Sequence, residues 1–348
     1  MTPGYGDHCG DLHDELRSVA RDLLAKDSVD WPLLVQAGWV GLEAPEEFGG
    51  ASAGMAEVAV ILDEMGRAAT PTAFLGGAVL AVGALNALQP NESRDRLLAA
   101  VTAGEVRAAV ALPTDGRTAP RFRFDGATVS GEAGFVPDAV VADELLLLAT
   151  GPDGESVILG VPAATLDVQR QPVLDETRGL ATVSADAVEV DGSAAWTFAT
   201  GVGAAGLLDR ARLAVACDSL GLAEAMLAAT VSYAQVRHQF GRAIGSFQAV
   251  KHACADMQVA IAVSRQLVGA AVRAVGEDRP DAPVAAAMAK SYACGAAVDI
   301  AGKAMQLHGG IGYTWESGVH VYLKRAALNR SLFGSPAAHR QELAQRYL

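Results

Sequence analysis

The spacing of apolar residues changes twice along this chain, and the changes divide it into three segments. In residues 1–105, Leu12, Leu16, Val19, Leu23 and Leu24 recur every few positions, as on one face of a helix. Trp31 to Ala37 predicts a short helix closed by Gly38. A Gly/Pro loop follows from Val40 to Gly50, and helical spacing resumes over 55–66, 73–88 and 93–102. Residues 106–197 carry short apolar runs at 108–112, 121–124, 127–130, 144–148, 156–161, 166–169, 181–184 and 187–190. Turn signals such as Asp125-Gly126, Pro152-Asp153-Gly154 and Asp191-Gly192 separate them, which predicts strands of a small barrel or sandwich. Residues 198–348 return to helical spacing, with long helices expected at 203–235, 245–276 and 282–307 and shorter ones at 316–332 and 337–347. Helices of that length make an antiparallel bundle. The expected class is α+β: an N-terminal helical domain (1–105), a middle β-barrel or sandwich (106–197) and a C-terminal four-helix bundle (198–348).

Charge and composition narrow the function. The net charge of -13 argues against nucleic acid, which needs a basic face, yet leaves room for a small anion held by a local cluster of donors. Cys9, Cys217, Cys254 and Cys294 form no CxxC pair, so reduced thiols and a cytoplasmic location are expected. No metal set is visible. The N-terminus is acidic (Asp7, Asp11, Asp14, Glu15) and shows no signal peptide. The long apolar helical stretches are interrupted by Asp, Glu or Arg, so no membrane association is expected.

Two segments carry the candidate chemistry. Arg237-His238-Gln239-Phe240-Gly241-Arg242, continuing to Ile244, Phe247 and Gln248, puts donors and positive charge at a helix end. Gln306-Leu307-His308-Gly309-Gly310-Ile311-Gly312 puts an amide and an imidazole beside a glycine turn. A guanidinium presents a fixed fork of donors to a pyrophosphate, and glycine lets a ligand approach the backbone closely. Both segments suit the phosphates and adenosine of a large nucleotide.

These motifs, in this domain order, resemble the acyl-CoA dehydrogenase family of flavoenzymes over nearly the whole chain. The likeness is strongest over 207–313, where Leu208-Asp209-Arg210-Ala211-Arg212 and Tyr233-Ala234-Gln235-Val236 lead into the first signature. The resemblance implies FAD as cofactor, with its ADP half bound mainly across a subunit interface by Arg237, Gln239, Phe240, Ile244, Phe247, Gln248, Gln306, His308, Gly309 and Gly310. Phe240 and Phe247 would be apolar walls. Asp209 and Arg212 match positions near the acyl-CoA in relatives, although a surface pair on one helix face would also explain them.

The same resemblance exposes losses. Relatives use a glutamate to abstract the α-proton while hydride passes to the flavin. The two family positions for that base read Phe333 and Ala211 here, so no catalytic residue is assigned. Asp209 and Glu316 are nearby in sequence but occupy neither position. The family's flavin-contacting loop is reduced to Ala109–Gly116, of which Pro113 is kept, and the segment that backs the ring reads Phe135-Val136-Pro137. This pattern resembles the catalytically depleted subunit of actinobacterial, steroid-degrading α2β2 heterotetramers. It implies α,β-desaturation of a CoA thioester, sterol-derived among the candidates. A homologous partner subunit would supply the base, and an electron-transfer flavoprotein would take the electrons. Two alternatives stay open: a homomeric flavoenzyme of this fold with an unusual base or none, and a non-catalytic scaffold.

Overall fold

The computed structural model describes residue 5 and residues 10–26, 29–116, 119–201 and 203–347; Cys9 lies outside the described residues. Five helices open the chain: α1 (Gly10–Leu24), α2 (Trp31–Gln36), α3 (Met55–Ala68), α4 (Val82–Asn86) and α5 (Glu92–Thr102). A π-helical stretch, Phe74–Ala81, runs directly into α4. Asp30 caps α2 by accepting from the Leu33 N–H, and Asn91 caps α5 by accepting from that of Arg94.

The middle segment forms one mixed eight-stranded sheet. Its strands are β1 (Ala108–Ala111), β2 (Phe122–Phe124), β3 (Thr128–Pro137), β4 (Glu144–Thr150), β5 (Ser156–Pro162), β6 (Asp167–Arg170), β7 (Leu180–Glu189) and β8 (Ala195–Thr197). The path is β6-β7-β3-β2-β4-β5-β8, with β1 parallel to β4. Alternation along β4 feeds two cores. Leu145, Leu147 and Ala149 join a core made by the sheet itself, while Leu146 and Leu148 join the helical core. Both faces are therefore buried, which is why β4 reads as an unbroken apolar run.

Two strand expectations change. The runs at 181–184 and 187–190 belong to one strand, β7, which continues through Ala187 at φ 49°. The run at 127–130 extends to Pro137 as β3, with bulges between Val129 and Gly131 and between Ala133 and Val136. The bulges absorb glycines that look like strand ends in the sequence.

The last segment contains α6 (Ala204–Val236), α7 (Gln248–Gly276), α8 (Ala282–His308), α9 (Val319–Ser331) and α10 (Pro336–Ala344). A short hairpin, β9 (His238–Gln239) and β10 (Arg242–Ala243), joins α6 to α7. Helices α3 and α6 cross at two glycines. A Cβ at Gly221 would lie 1.8 Å from the Asp63 carbonyl oxygen, and one at Gly66 would lie 1.9 Å from that of Asp218. No side chain larger than hydrogen fits there. By length and composition alone, α6, α7 and the helical run Ala282–Tyr313 could each cross a membrane, contrary to the reading from interrupted runs. Within this fold the apolar windows of α6 and of the Ala282–Tyr313 run are 67% and 56% buried, whereas that of α7 is only 33% buried.

A buried ion cluster ties the three segments together. Asp218 on α6 accepts from both Nε and Nη2 of Arg325 on α9, at 3.1 and 2.5 Å, and from Asn329. Arg178, just before β7, pairs with the same carboxylate at 3.1 Å. Arg325 also donates to the Thr70 carbonyl and to Thr177. Burial pushes the Asp218 carboxyl up, but Arg325 and Arg178 outweigh it and hold the group at about 2.

Candidate functional site

The hairpin after α6 has a two-residue turn, Phe240-Gly241, with both residues at positive φ (52° and 77°). A type I′ turn requires this, and for a bulky aromatic it is an unusual conformation. It leaves Phe240 91% exposed at the tip. The Ile244 N–H donates to the Arg237 carbonyl at 2.8 Å and closes the hairpin base. Facing it, α8 ends at His308, and Gly309 takes φ 65° and ψ -144°, a conformation open to glycine.

Between these ends lies a cavity of about 460 Å³. It gathers Arg237, Gln239, Ile244, His308, Gly309 and Gly310 from the two signatures. It also takes in Tyr233, Leu307 and Ile311, which the sequence reading did not single out. Tyr233 was legible in principle, because it sits one helical turn before Arg237 on α6. Its ring stacks on the His308 imidazole, with centroids 4.6 Å apart and planes inclined by 18°. His308 Nδ1 lies 2.7 Å from the Ala304 carbonyl, so Nδ1 carries a hydrogen and donates it there. Arg237 is exposed and has no ion-pair partner among the described residues. In a chain of net charge -13, an unpaired guanidinium beside a glycine turn suits a phosphate.

Four of the expected cofactor-binding residues lie outside the lining. Phe240 and Phe247 meet edge to face at 6.2 Å, and Arg242 covers Phe247 at 4.1 Å. Gln248 starts α7, and Gln306 faces solvent with Lys303 at 3.5 Å. Asp209 and Arg212 are neither at this cavity nor a surface pair. Both are buried on α6, 2.9 Å apart, and Arg212 also reaches Glu342 at 3.3 Å. Burial raises the Asp209 carboxyl, with Arg212 opposing it.

The region of the two base positions has a different character. Ala211 is wholly buried, and Phe333 is 1% exposed within the helical core. The Phe333 N–H donates to the Thr114 carbonyl at 2.8 Å, and Thr114 Oγ1 donates to the Gly134 carbonyl at 2.8 Å. Gly116 packs so tightly on Gly334 that a Cβ there would lie 3.0 Å from the Gly334 Cα. Lys290, itself fully buried, donates to the carbonyls of Gly334 (2.9 Å) and Arg330 (3.2 Å). His339 Nε2 lies 3.0 Å from the Phe333 carbonyl. Burial lowers both the Lys290 ammonium and the His339 imidazolium. Three segments are thus strapped together around an apolar side chain, with no proton acceptor at either base position. Glu316 is exposed on the loop before α9.

Helices, sheet and bundle follow one another in this order, with donors suited to a phosphate at one end of the bundle. The chain belongs to the acyl-CoA dehydrogenase family. The model described as "Acyl-CoA dehydrogenase, N-terminal domain" matches residues 12–105, and that described as "Acyl-CoA dehydrogenase, C-terminal domain" matches residues 202–348. Acyl-CoA dehydrogenase IpdE2 of Mycolicibacterium smegmatis is 32% identical over 93% of this chain and 89% of its own length. Among solved structures, a variant of the Tcur3481-Tcur3483 steroid ACAD superposes with a TM-score of 0.86 at 30% identity, covering 97% of each chain. The ChsE4-ChsE5 complex from Mycobacterium tuberculosis gives a TM-score of 0.86 at 25% identity, covering 98% of this chain and 97% of that one. The cofactor is FAD, and the reaction class is oxidoreduction at a CH–CH group.

Proposed function

We propose that this chain is the nucleotide-clamp subunit of a heteromeric acyl-CoA dehydrogenase. Arg237, Gln239 and the Gly309-Gly310 backbone hold the ADP half of an FAD whose ring lies on a homologous partner. FAD, when bound, supplies the hydride acceptor. The partner supplies the glutamate that removes the α-proton of a CoA thioester. The steroid ACAD among its neighbours supports a bulky, sterol-derived acyl group, and we further propose a cytoplasmic α2β2 assembly with an electron-transfer flavoprotein as acceptor.

One observation carries the reading. The donor cavity at the bundle end is open, while the family's principal base position is a buried Phe333 strapped to the remnant of the flavin loop. A ring-binding cleft in this chain would require Thr114, Gly116 and Gly334 to separate.

The test is to produce the chain alone and together with a homologous subunit that carries the glutamate. Dehydrogenation of a steroid-derived CoA thioester is then followed with an artificial electron acceptor. Turnover by the pair and none by either chain alone is expected. Turnover by this chain alone sinks the proposal.

A further inference from the structure

Helix α7 is apolar on both of its sides. Its inward side, with Met257, Ile261, Ser264, Val268 and Ala271, is buried against α6 and α8. On its outward side, Ala255, Val259, Ala262, Val263, Gln266 and Ala270 recur at helical spacing, and all six are exposed. Val259 is 63% exposed. The two charges in this span lie off the stripe: Asp256 flanks it, and Arg265 turns inward to Glu224. A helix with one face in water carries charged residues on that face, whereas one that is apolar all round is covered all round. The neighbouring α8 adds Met288 and Tyr292, which are exposed as well. An exposed apolar patch of this kind marks a contact surface.

A groove of about 640 Å³ runs beside the stripe, between α7 and α8. Ala253, Met257, Ala260 and Ala296 give it apolar walls, and the exposed His252, Asp256 and Tyr292 stand along it. The two ends of the stripe carry opposite charges, Asp256 at one and Arg273 at the other. Both are exposed, and neither forms an ion pair among the described residues. An antiparallel copy of the same helix, laid along the stripe about a two-fold axis, sets Asp256 opposite Arg273, Val259 opposite Ala270 and Val263 opposite Gln266. The symmetry repeats each pair. A parallel copy would set like charge against like.

We propose that α7 docks antiparallel on α7 of a second copy of this chain, covering the 255–270 stripe and pairing Asp256 of each copy with Arg273 of the other. The occupant is the same chain because the charges at the ends of the stripe complement their own reversed order. In the α2β2 reading this contact joins the two like subunits. The inference does not rest on that reading, because none of these residues belongs to the nucleotide half-site.

The full chain without any homologous subunit is the sample, and sedimentation velocity over a dilution series is the measurement. A particle of two chains is expected. Val259→Glu puts a carboxylate into the covered stripe and should raise the dimer Kd about a hundredfold. The variant should keep the helical circular dichroism of the wild type, because Val259 is exposed in the single chain. Asp256→Arg and Arg273→Asp should each raise Kd about tenfold, by setting like charges face to face. Mixing these two variants should restore the wild-type Kd, since every contact in the mixed dimer regains opposite charges. A monomer at every concentration, or a Val259→Glu variant as tightly dimeric as the wild type, overturns the proposal. A mixture that associates no better than its components overturns the antiparallel pairing. A chain that is monomeric alone and dimerises only with a homologous subunit overturns the choice of a second copy. FAD content, counted separately, distinguishes each of these results from a failure of the split-site reading.

Discussion

Two regions of this molecule have opposite characters. At the bundle end, Arg237, Gln239 and the Gly309-Gly310 turn surround an open cavity, and Phe240 is held out into solvent in a strained conformation. Around Phe333, the Phe333 N–H and carbonyl and the Gly334 carbonyl are paired within the chain, and the space is filled by a buried ring. The exposed Arg237 guanidinium is free to meet an anion, whereas the paired groups around Phe333 are not. On the proposed reading this chain has lost one half of a cofactor site and kept the other, a loss that a binding site divided between subunits would make tolerable.

The largest effect should come from forcing the closed region to look like its relatives. Phe333→Glu removes a fully buried ring, worth about 3–5 kcal/mol, and puts a carboxylate in its place. Urea unfolding should show at least that loss, and the variant purified alone should still lack flavin, since Thr114 and Gly116 remain strapped. A stable, yellow variant would mean that the cleft is latent and not closed.

Next comes the ion cluster that fixes the sheet against the bundle. Asp218→Asn leaves Arg325 and Arg178 short of a buried counter-charge, at a cost of about 3–5 kcal/mol near neutral pH. The pH dependence follows from the sign of the shift. The folded carboxyl sits at about 2, below its ordinary range, so its contribution is present above pH ~4 and is lost as pH falls from ~4 towards 2. The stability gap between wild type and Asp218→Asn, measured by denaturant unfolding across that range, should shrink by roughly 2 kcal/mol. A constant gap would place the effect in packing.

A smaller change loosens the strap itself. Lys290→Met keeps the volume but leaves the Gly334 and Arg330 carbonyls without their donor, costing about 1–3 kcal/mol. Amide exchange at Phe333 should speed up with it. Unchanged exchange would show that Lys290 does not hold the turn.

The smallest effect on stability marks the open region. Arg237→Ala is exposed and should move stability by no more than about 0.5 kcal/mol. In the assembled enzyme it should weaken FAD retention about tenfold to a hundredfold, by loss of a charge-assisted hydrogen bond. Undiminished retention would remove Arg237 from the clamp.

Much of this was legible in the sequence, for identifiable reasons. The bundle helices declare themselves because their apolar spacing persists over more than a few turns, and α6 and α8 fall within a residue or so of their expected spans. The sheet was less legible. Gly131 and Gly134 look like strand breakers, yet β3 runs through both and ends only at Pro137, because bulges accommodate residues that a regular ladder would not. β8, three residues long, is too short to show a period. At the half-site, Arg237 and the glycine turn announce themselves by residue type, while Tyr233 does so only once α6 is drawn as a helix. The Asp218 cluster could not be read at all: Asp218 and Arg325 are 107 positions apart, and the fold alone unites them. The burial of Asp209 and Arg212 was likewise invisible, since a pair three residues apart looks the same on a surface as in a core.

The central claim, an open nucleotide half beside a closed ring half, is tested most directly by counting flavin. FAD per chain should be measured for this protein purified alone and again with a homologous, glutamate-bearing subunit. The account predicts no bound flavin alone and about one FAD per pair of chains. About one FAD per chain for the protein alone would contradict it.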